Sequence, residues 1–220
     1  MNTDRTDPGD EGTTRDQRIA WEEQYESPHP VWRGPGEVEP GLPADGHVLE
    51  LGCGNGKTLA ALGPRHGLIV GVDFSRNALR TCGRLEGSMA ELRLVQADML
   101  DLPFPDGLFD LVLCYHVLDH ALAAERGRAA REIVRVTRPA GAISFRGFAA
   151  EDLRAQKGSE VEPRTYARGR GLIYHYFDGP EVGVLFPGTR LAALEKRSKA
   201  RRFRGRSVER VEIGALFIRA

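Results

Sequence analysis

Apolar residues along this chain come in short, dense runs separated by polar and glycine-rich stretches. HVLEL (47–51), LIVGVDF (68–74) and LFDLVLCYHVL (108–118) are almost continuously apolar. Such runs predict strands covered on both faces, because a strand with one wet face alternates instead. ELRLVQAD (91–98) alternates, and GAISFRGF (141–148) reads as a fifth strand. The segments between them have helical spacing. KTLAALG opens a helix ending near Gly63. RNALRTCGRLEG follows Ser75, a good N-cap, and AERGRAAREIVRVT (124–137) is closed off by Pro139. Strands alternating with helices predict a doubly wound, mostly parallel α/β sheet.

The rhythm fails at both ends of this block. Residues 1–14 have no apolar residue except Met1 and predict a disordered tail, with a short helix from Asp16 to Tyr25. SPHPVWRGPGEVEPGLPADG is an irregular lead-in, and residues 149–176 are dominated by glycine, proline and charge. A helix near 179–186 and strands near 190–202 and 208–219 close the chain. The final strand alternates through Val211, Ile213, Ala215 and Phe217, which suggests an antiparallel hairpin at the sheet's end.

In a doubly wound sheet, ligands bind beyond the carboxyl ends of the strands, where the strand order reverses. That rim carries VLELGCGNGKT (48–58), Asp73, Asp98 and Tyr115–His116. The Gly56-Lys57-Thr58 ending suggests a phosphate loop, but such a loop needs glycine at position 51, which is leucine. Gly52 and Gly54 begin a dinucleotide fingerprint, but its third glycine falls on Lys57. What remains is Glu50-x-Gly52-x-Gly54-x-Gly56 directly after a strand. The glycines let backbone lie flat against a ligand, and the acidic residue suits a cationic group better than a phosphate.

Here the chain resembles the class I S-adenosylmethionine-dependent methyltransferases, whose first motif is an acidic residue followed by Gly-x-Gly-x-Gly at this place in the fold. The run LPFPDGLFDLVLCYHVLDH (102–120) resembles their methyltransferase type 11, or UbiE-like, subgroup, and REIVRVTRPAGAISF resembles the helix and strand that follow. The resemblance covers about residues 45–148. It implies a seven-stranded Rossmann-like sheet, with residues 15–220 as one domain. S-adenosyl-L-methionine would be the cofactor and S-adenosyl-L-homocysteine the product. It implies that Glu50, Gly52, Cys53, Gly54 and Gly56 hold the amino-acid end, that Asp73 and Phe74 meet the ribose, and that Asp98 and Met99 meet the adenine. Cys114 and Tyr115 would lie against the methionine end. In relatives the segment before the first strand covers the cofactor, which brings in residues 15–44 with Trp32 and Arg33. The stretch 149–177 corresponds to the acceptor site.

The catalytic candidates are Tyr115, His116 and His175. A general base is optional for methyl transfer, since alignment and exclusion of water do most of the work. His116 and His120 stand four apart like a pair of metal ligands, but no third ligand is evident, so no metal is expected and His120 reads as a local structural or pocket residue.

Composition adds three points. Lys plus Arg and Asp plus Glu both number 31, so net charge is zero and a general polyanion binder is disfavoured. The basic run KRSKARRFRGR (196–206) keeps an RNA acceptor open, as does YHYF (174–177), which resembles YYHxF of wobble-uridine tRNA methyltransferases. A small-molecule acceptor is the first expectation, and a non-catalytic cofactor-binding subunit a further alternative. Three scattered cysteines give neither a disulfide framework nor a zinc site, and no apolar run is long enough to span a membrane, so a cytoplasmic setting is expected.

Overall fold

Each strand expected between 47 and 148 is present in the computed structural model, which describes residues 8–26, 36–39, 42, 45–62, 67–85, 89, 91–169, 171–203 and 206–220. β1 (His47–Leu51), β2 (Leu68–Asp73), β3 (Leu92–Gln96), β4 (Phe109–Tyr115) and β5 (Thr137–Phe148) pair in parallel. After three further short strands, β6–β8, the chain ends in the hairpin β9 (Thr189–Phe203) and β10 (Arg206–Arg219). The hairpin joins antiparallel to β5, giving the seven-stranded order β3-β2-β1-β4-β5-β10-β9. The order reverses at β1, whose neighbours are β2 and β4.

Both faces of the sheet are covered, as its apolar runs require. Leu49, Leu51, Val70, Val72, Val112 and Cys114 face one core, with Ala129, Ala130, Ile133 and Val136 of α4 (Ala123–Val136). Val48, Ile69, Leu111, Leu113 and Tyr115 face the other, with α2 (Lys57–Leu62) and α3 (Arg76–Cys82). Alternate residues of one strand thus enter opposite cores. Ser75 caps α3 as expected, its side chain accepting the Ala78 N–H at 3.0 Å.

Two regions differ from expectation. The N-terminal helix α1 (Pro8–Glu26) starts well before Asp16, so positions 8–14 are helical and not a disordered tail. Pro8 stands at its first turn, where a fixed φ and a missing N–H cost nothing. A helix that ends on polar residues leaves no apolar periodicity to read.

The stretch after β5 is not irregular either. β6 (Ser159–Glu162), β7 (Thr165–Arg168) and β8 (Leu172–His175) form a separate antiparallel sheet. Arg164 turns β6 into β7 at φ +60°, a role usually given to glycine or asparagine. Phe148, Tyr166 and Tyr176 pack together beneath it. α5 (Gly179–Gly183) follows, with Asp178 as N-cap accepting the Glu181 N–H at 2.8 Å.

Candidate active site

The chain leaves β1 through Gly52 (φ +63°), Gly54 (φ +51°) and Gly56 (φ +80°). A Cβ on Gly52 would lie 2.4 Å from Val117 Cγ2, and one on Gly54 2.6 Å from Tyr25 Oη. Position 52 therefore needs glycine for space as well as for φ, and position 54 for its φ. Cys53 turns its thiol away into the core beside Cys82, while its N–H donates to the Val72 carbonyl at 2.9 Å.

Three carboxylates surround this loop. Glu50 is 4% exposed. The Thr58 hydroxyl and Leu59 N–H bond to its carboxylate, but Oε2 has no partner among the described residues. Burial pushes its pKa well up, so a neighbouring cation would be strongly favoured. Each oxygen of Asp73 accepts a backbone N–H. Its Oδ2 accepts the Gly54 N–H and its Oδ1 the Ser75 N–H, both at 2.9 Å. Burial outweighs these bonds and raises it to about 6. Asp98 accepts the Leu100 N–H at 2.9 Å through Oδ1, and its Oδ2 is ion-paired to Arg18 of α1. The Arg18 guanidinium also lies 5.9 Å from the Phe74 ring centre, and Met99 is half-buried beside Asp98.

The end of β4 supplies the next wall. The Tyr115 hydroxyl bonds to Ser144 Oγ at 2.8 Å, and the Arg146 guanidinium lies 4.5 Å from its ring centre. His116, at φ +56°, stacks on Phe148 at 4.6 Å between two carboxylates, Asp119 at 3.2 Å and Glu212 at 3.6 Å. Burial opposes its charge, but these two carboxylates prevail and its pKa rises; Glu212 in return falls to about 2, first through its bond to His116. The two carboxylates thus favour the charged form of His116, which makes it a poorer base.

The structure moves two expected residues away from the site. Cys114 lies wholly in the α4-side core, because the strand alternation that aims Tyr115 one way aims Cys114 the other. His175 is 1% exposed and fully bonded, Nδ1 to Thr165 Oγ1 at 2.8 Å and Nε2 to Glu181 at 2.9 Å. It ties β8 to α5 and does not line the site. Trp32 and Arg33 lie outside the described residues. No cluster of three metal-ligating side chains occurs among the described residues.

Some site residues were not anticipated. Arg18 comes from α1, whose cover over the sheet leaves no motif. Arg146 did leave one: it is a charge inside the apolar strand GAISFRGF, 8% exposed. Glu212 arrives through the antiparallel pairing that sets it opposite Phe148.

Together these groups line one cavity of about 680 Å³, running from Phe74 and Asp98 past the glycine loop to Arg210 and Glu212. That volume suits a small ligand or cofactor. A family profile described as "Methyltransferase domain" matches residues 49–145, the span from β1 to β5 that builds this cavity. Over this span the chain is similar to class I S-adenosylmethionine-dependent methyltransferases. It is 33% identical over 138 residues to a malonyl-[acyl-carrier protein] O-methyltransferase of Halorhodospira halophila, covering 62% of this chain and 45% of that one. It is 27% identical over 186 residues to the tRNA N(3)-methylcytidine methyltransferase Mettl2 of Drosophila melanogaster, covering 77% and 57%. The chain spans about half the length of the curated relatives it matches. In fold it resembles the 1,6-didemethyltoxoflavin-N1-methyltransferase of Burkholderia thailandensis, solved with S-adenosylhomocysteine (TM-score 0.71, 19% identity, 99% of this chain and 94% of that one).

The residues of this cavity fit the cofactor of the methyltransferases that the chain resembles. Glu50 Oε2 is a buried acceptor without a partner among the described residues, suited to an ammonium group. Gly52 and Gly54 form a cradle that side chains would fill. Asp73 and Asp98 keep spare lone pairs at the ends of β2 and β3.

Proposed function

We propose that this protein transfers the methyl group of S-adenosylmethionine to a small-molecule acceptor. The cofactor supplies a methyl already activated by its sulfonium, so the chain's task is to bind, align and exclude water. Glu50 holds the ammonium group, Asp73 the ribose hydroxyls, and Asp98 with Met99 the adenine. Residues of the N-terminal segment cover this end: Arg18 pairs with Asp98, and Glu37 with Lys199 of β9 at 2.8 Å.

The observation that supports the small-molecule reading is the state of Lys196, Arg197 and Lys199, the cations of the basic run whose side chains are among the described residues. Lys196 is paired with Glu151, Arg197 with Glu39 and Glu195, and Lys199 with Glu37. These cations are matched by carboxylates of the same protein and offer little to a phosphate backbone. The enclosed, partly aromatic end of the cavity also favours a small acceptor. The test is transfer of labelled methyl into a small-metabolite extract and into bulk tRNA, at 50 and at about 200 mM salt. Label in the metabolite fraction with little salt dependence supports the proposal. Label in tRNA that falls by orders of magnitude with salt refutes it, since that slope is the mark of phosphate contacts.

A further inference from the structure

Two histidines line the cavity, and their hydrogen bonds set them to opposite tasks. His120 sits in the helical turn 118–120 after β4. Its Nδ1 is 2.8 Å from the Ile173 carbonyl oxygen of β8. A carbonyl only accepts, so Nδ1 carries the hydrogen. A neutral imidazole has one N–H, which leaves Nε2 with a bare lone pair. Nε2 is buried and has no partner among the described residues. A buried acceptor left unmatched costs about 1–3 kcal/mol, so a ligand's donor there is favoured.

The surroundings favour the neutral ring. Burial lowers its pKa first of all; Asp119 opposes this, while His116 and Arg154 add to it. The titratable groups around the ring are Asp119 and His116 on its own turn, Arg154 beyond β5, and Tyr174 on β8. α1 presents the uncharged Trp21, edge-on at 4.7 Å. Tyr174 at 5.0 Å and Phe148 at 6.1 Å complete an aromatic enclosure. His116, between Asp119 and Glu212, cannot serve as a proton acceptor while it is charged.

Building on the methyltransferase reading above, we infer that His120 Nε2 takes the proton of the methyl acceptor, and that the acceptor is a planar ring compound with an ionisable O–H or N–H. The acceptor's O–H or N–H bond breaks, the proton joins Nε2, and the electron pair stays on the oxygen or nitrogen as the nucleophile. His120 then gives the proton to water. Trp21 and Phe148, which line the cavity, supply flat apolar walls that suit a ring over a flexible chain. This also accounts for the rigid Nδ1 bond, which fixes the tautomer that a base needs.

The first test is histidine ¹⁵N NMR of the full chain, with His120→Asn used to assign the signal. The expected result is a neutral Nδ1–H tautomer at pH 7, titrating below the ordinary histidine value. An Nε2–H tautomer, or an imidazolium at pH 7, overturns the inference. The second test is labelled-methyl transfer to a panel of phenol, 1,4-dihydroxynaphthalene, purine bases, aliphatic amines and short carboxylic acids. Asparagine keeps a donor for Ile173 but has no lone pair at the Nε2 position. His120→Asn should lower kcat on planar panel members by about 100-fold with KM little changed, and abolish the low-pH limb of the rate profile. Transfer confined to amines or carboxylic acids, no transfer to any planar member, or an unchanged pH profile in the variant refutes it. Calorimetry with S-adenosylmethionine separates the two levels: loss of that binding sinks the methyltransferase reading, whereas intact binding with a failed His120 result sinks only this inference.

Discussion

Asp73 at the end of β2 accepts the N–H of Gly54 in the loop after β1, at 2.9 Å. One carboxylate thereby sets the shape of the glycine loop and, in the proposed function, meets the ribose. Asp73→Ala should therefore weaken S-adenosylmethionine binding by about 10- to 100-fold, as loss of charge-assisted hydrogen bonds implies, and should also lower thermal stability. Calorimetry and a melting curve measure the two effects.

The same residue predicts opposite pH slopes for binding and stability. Burial raises the folded-state pKa of Asp73 to about 6. The protein without cofactor binds this proton more tightly folded than unfolded. Asp73's contribution to stability is then full below the ordinary aspartate pKa and is lost as pH rises through about 6. Ribose hydroxyls need the ionised carboxylate, so cofactor affinity should rise over that window. Affinities at pH 5 and pH 7.5 check this; equal values would remove Asp73 from the ribose site.

Glu50→Gln separates binding from folding in another way. Oε2 is buried without a partner among the described residues, and burial already favours the neutral acid. The amide should leave the melting temperature unchanged or slightly higher, because a desolvated carboxyl is replaced by its near-isostere. Cofactor affinity should fall by about 10- to 100-fold, because the ammonium loses its counter-charge. A destabilised variant with normal affinity would contradict the role given to Glu50.

His116 and Glu212 predict a pH-dependent stability term. His116 has a raised folded-state pKa, so its contribution is full below the unfolded histidine value and is lost as pH rises through the higher folded one. Glu212 is depressed to about 2, so its contribution is full above the ordinary glutamate value and is lost as pH falls through about 2. His116→Gln should thus lower the melting temperature at pH 6 by about 2–4 °C, on the order of 1 kcal/mol, and by much less at pH 9.

The parallel half of the fold was legible because both-face burial writes itself as continuous apolar runs, as in LIVGVD and FDLVLCY. The glycine loop was legible because Gly52, Gly54 and Gly56 all need positive φ, and Gly52 needs space as well. β6–β8 were not, because four-residue strands carrying Glu160, Glu162 and Arg168 give no period-2 signal. His175 looked functional because a sequence does not show which histidines are already satisfied; Thr165 and Glu181 settle that only in three dimensions. His120 is the converse, a residue set aside until its one bond to Ile173 fixed which nitrogen is bare.

α1 carries a prediction about dynamics. Arg18 and Asp98 are 47% and 32% exposed at the side chain, so their ion pair is worth at most about 1 kcal/mol. Arg18→Ala should barely move the melting temperature but should speed cofactor release several-fold, measured by stopped-flow displacement. Raising salt should narrow the gap between the variant and the natural protein, as screening weakens the pair.

The most direct test of the central claim is calorimetric titration of the full chain with S-adenosylmethionine, beside the Glu50→Gln and Asp73→Ala variants. The account predicts saturable one-to-one binding that weakens in each variant. A folded protein that releases no binding heat and shows no thermal shift with the cofactor, or that binds it equally well without Glu50 and Asp73, would contradict it.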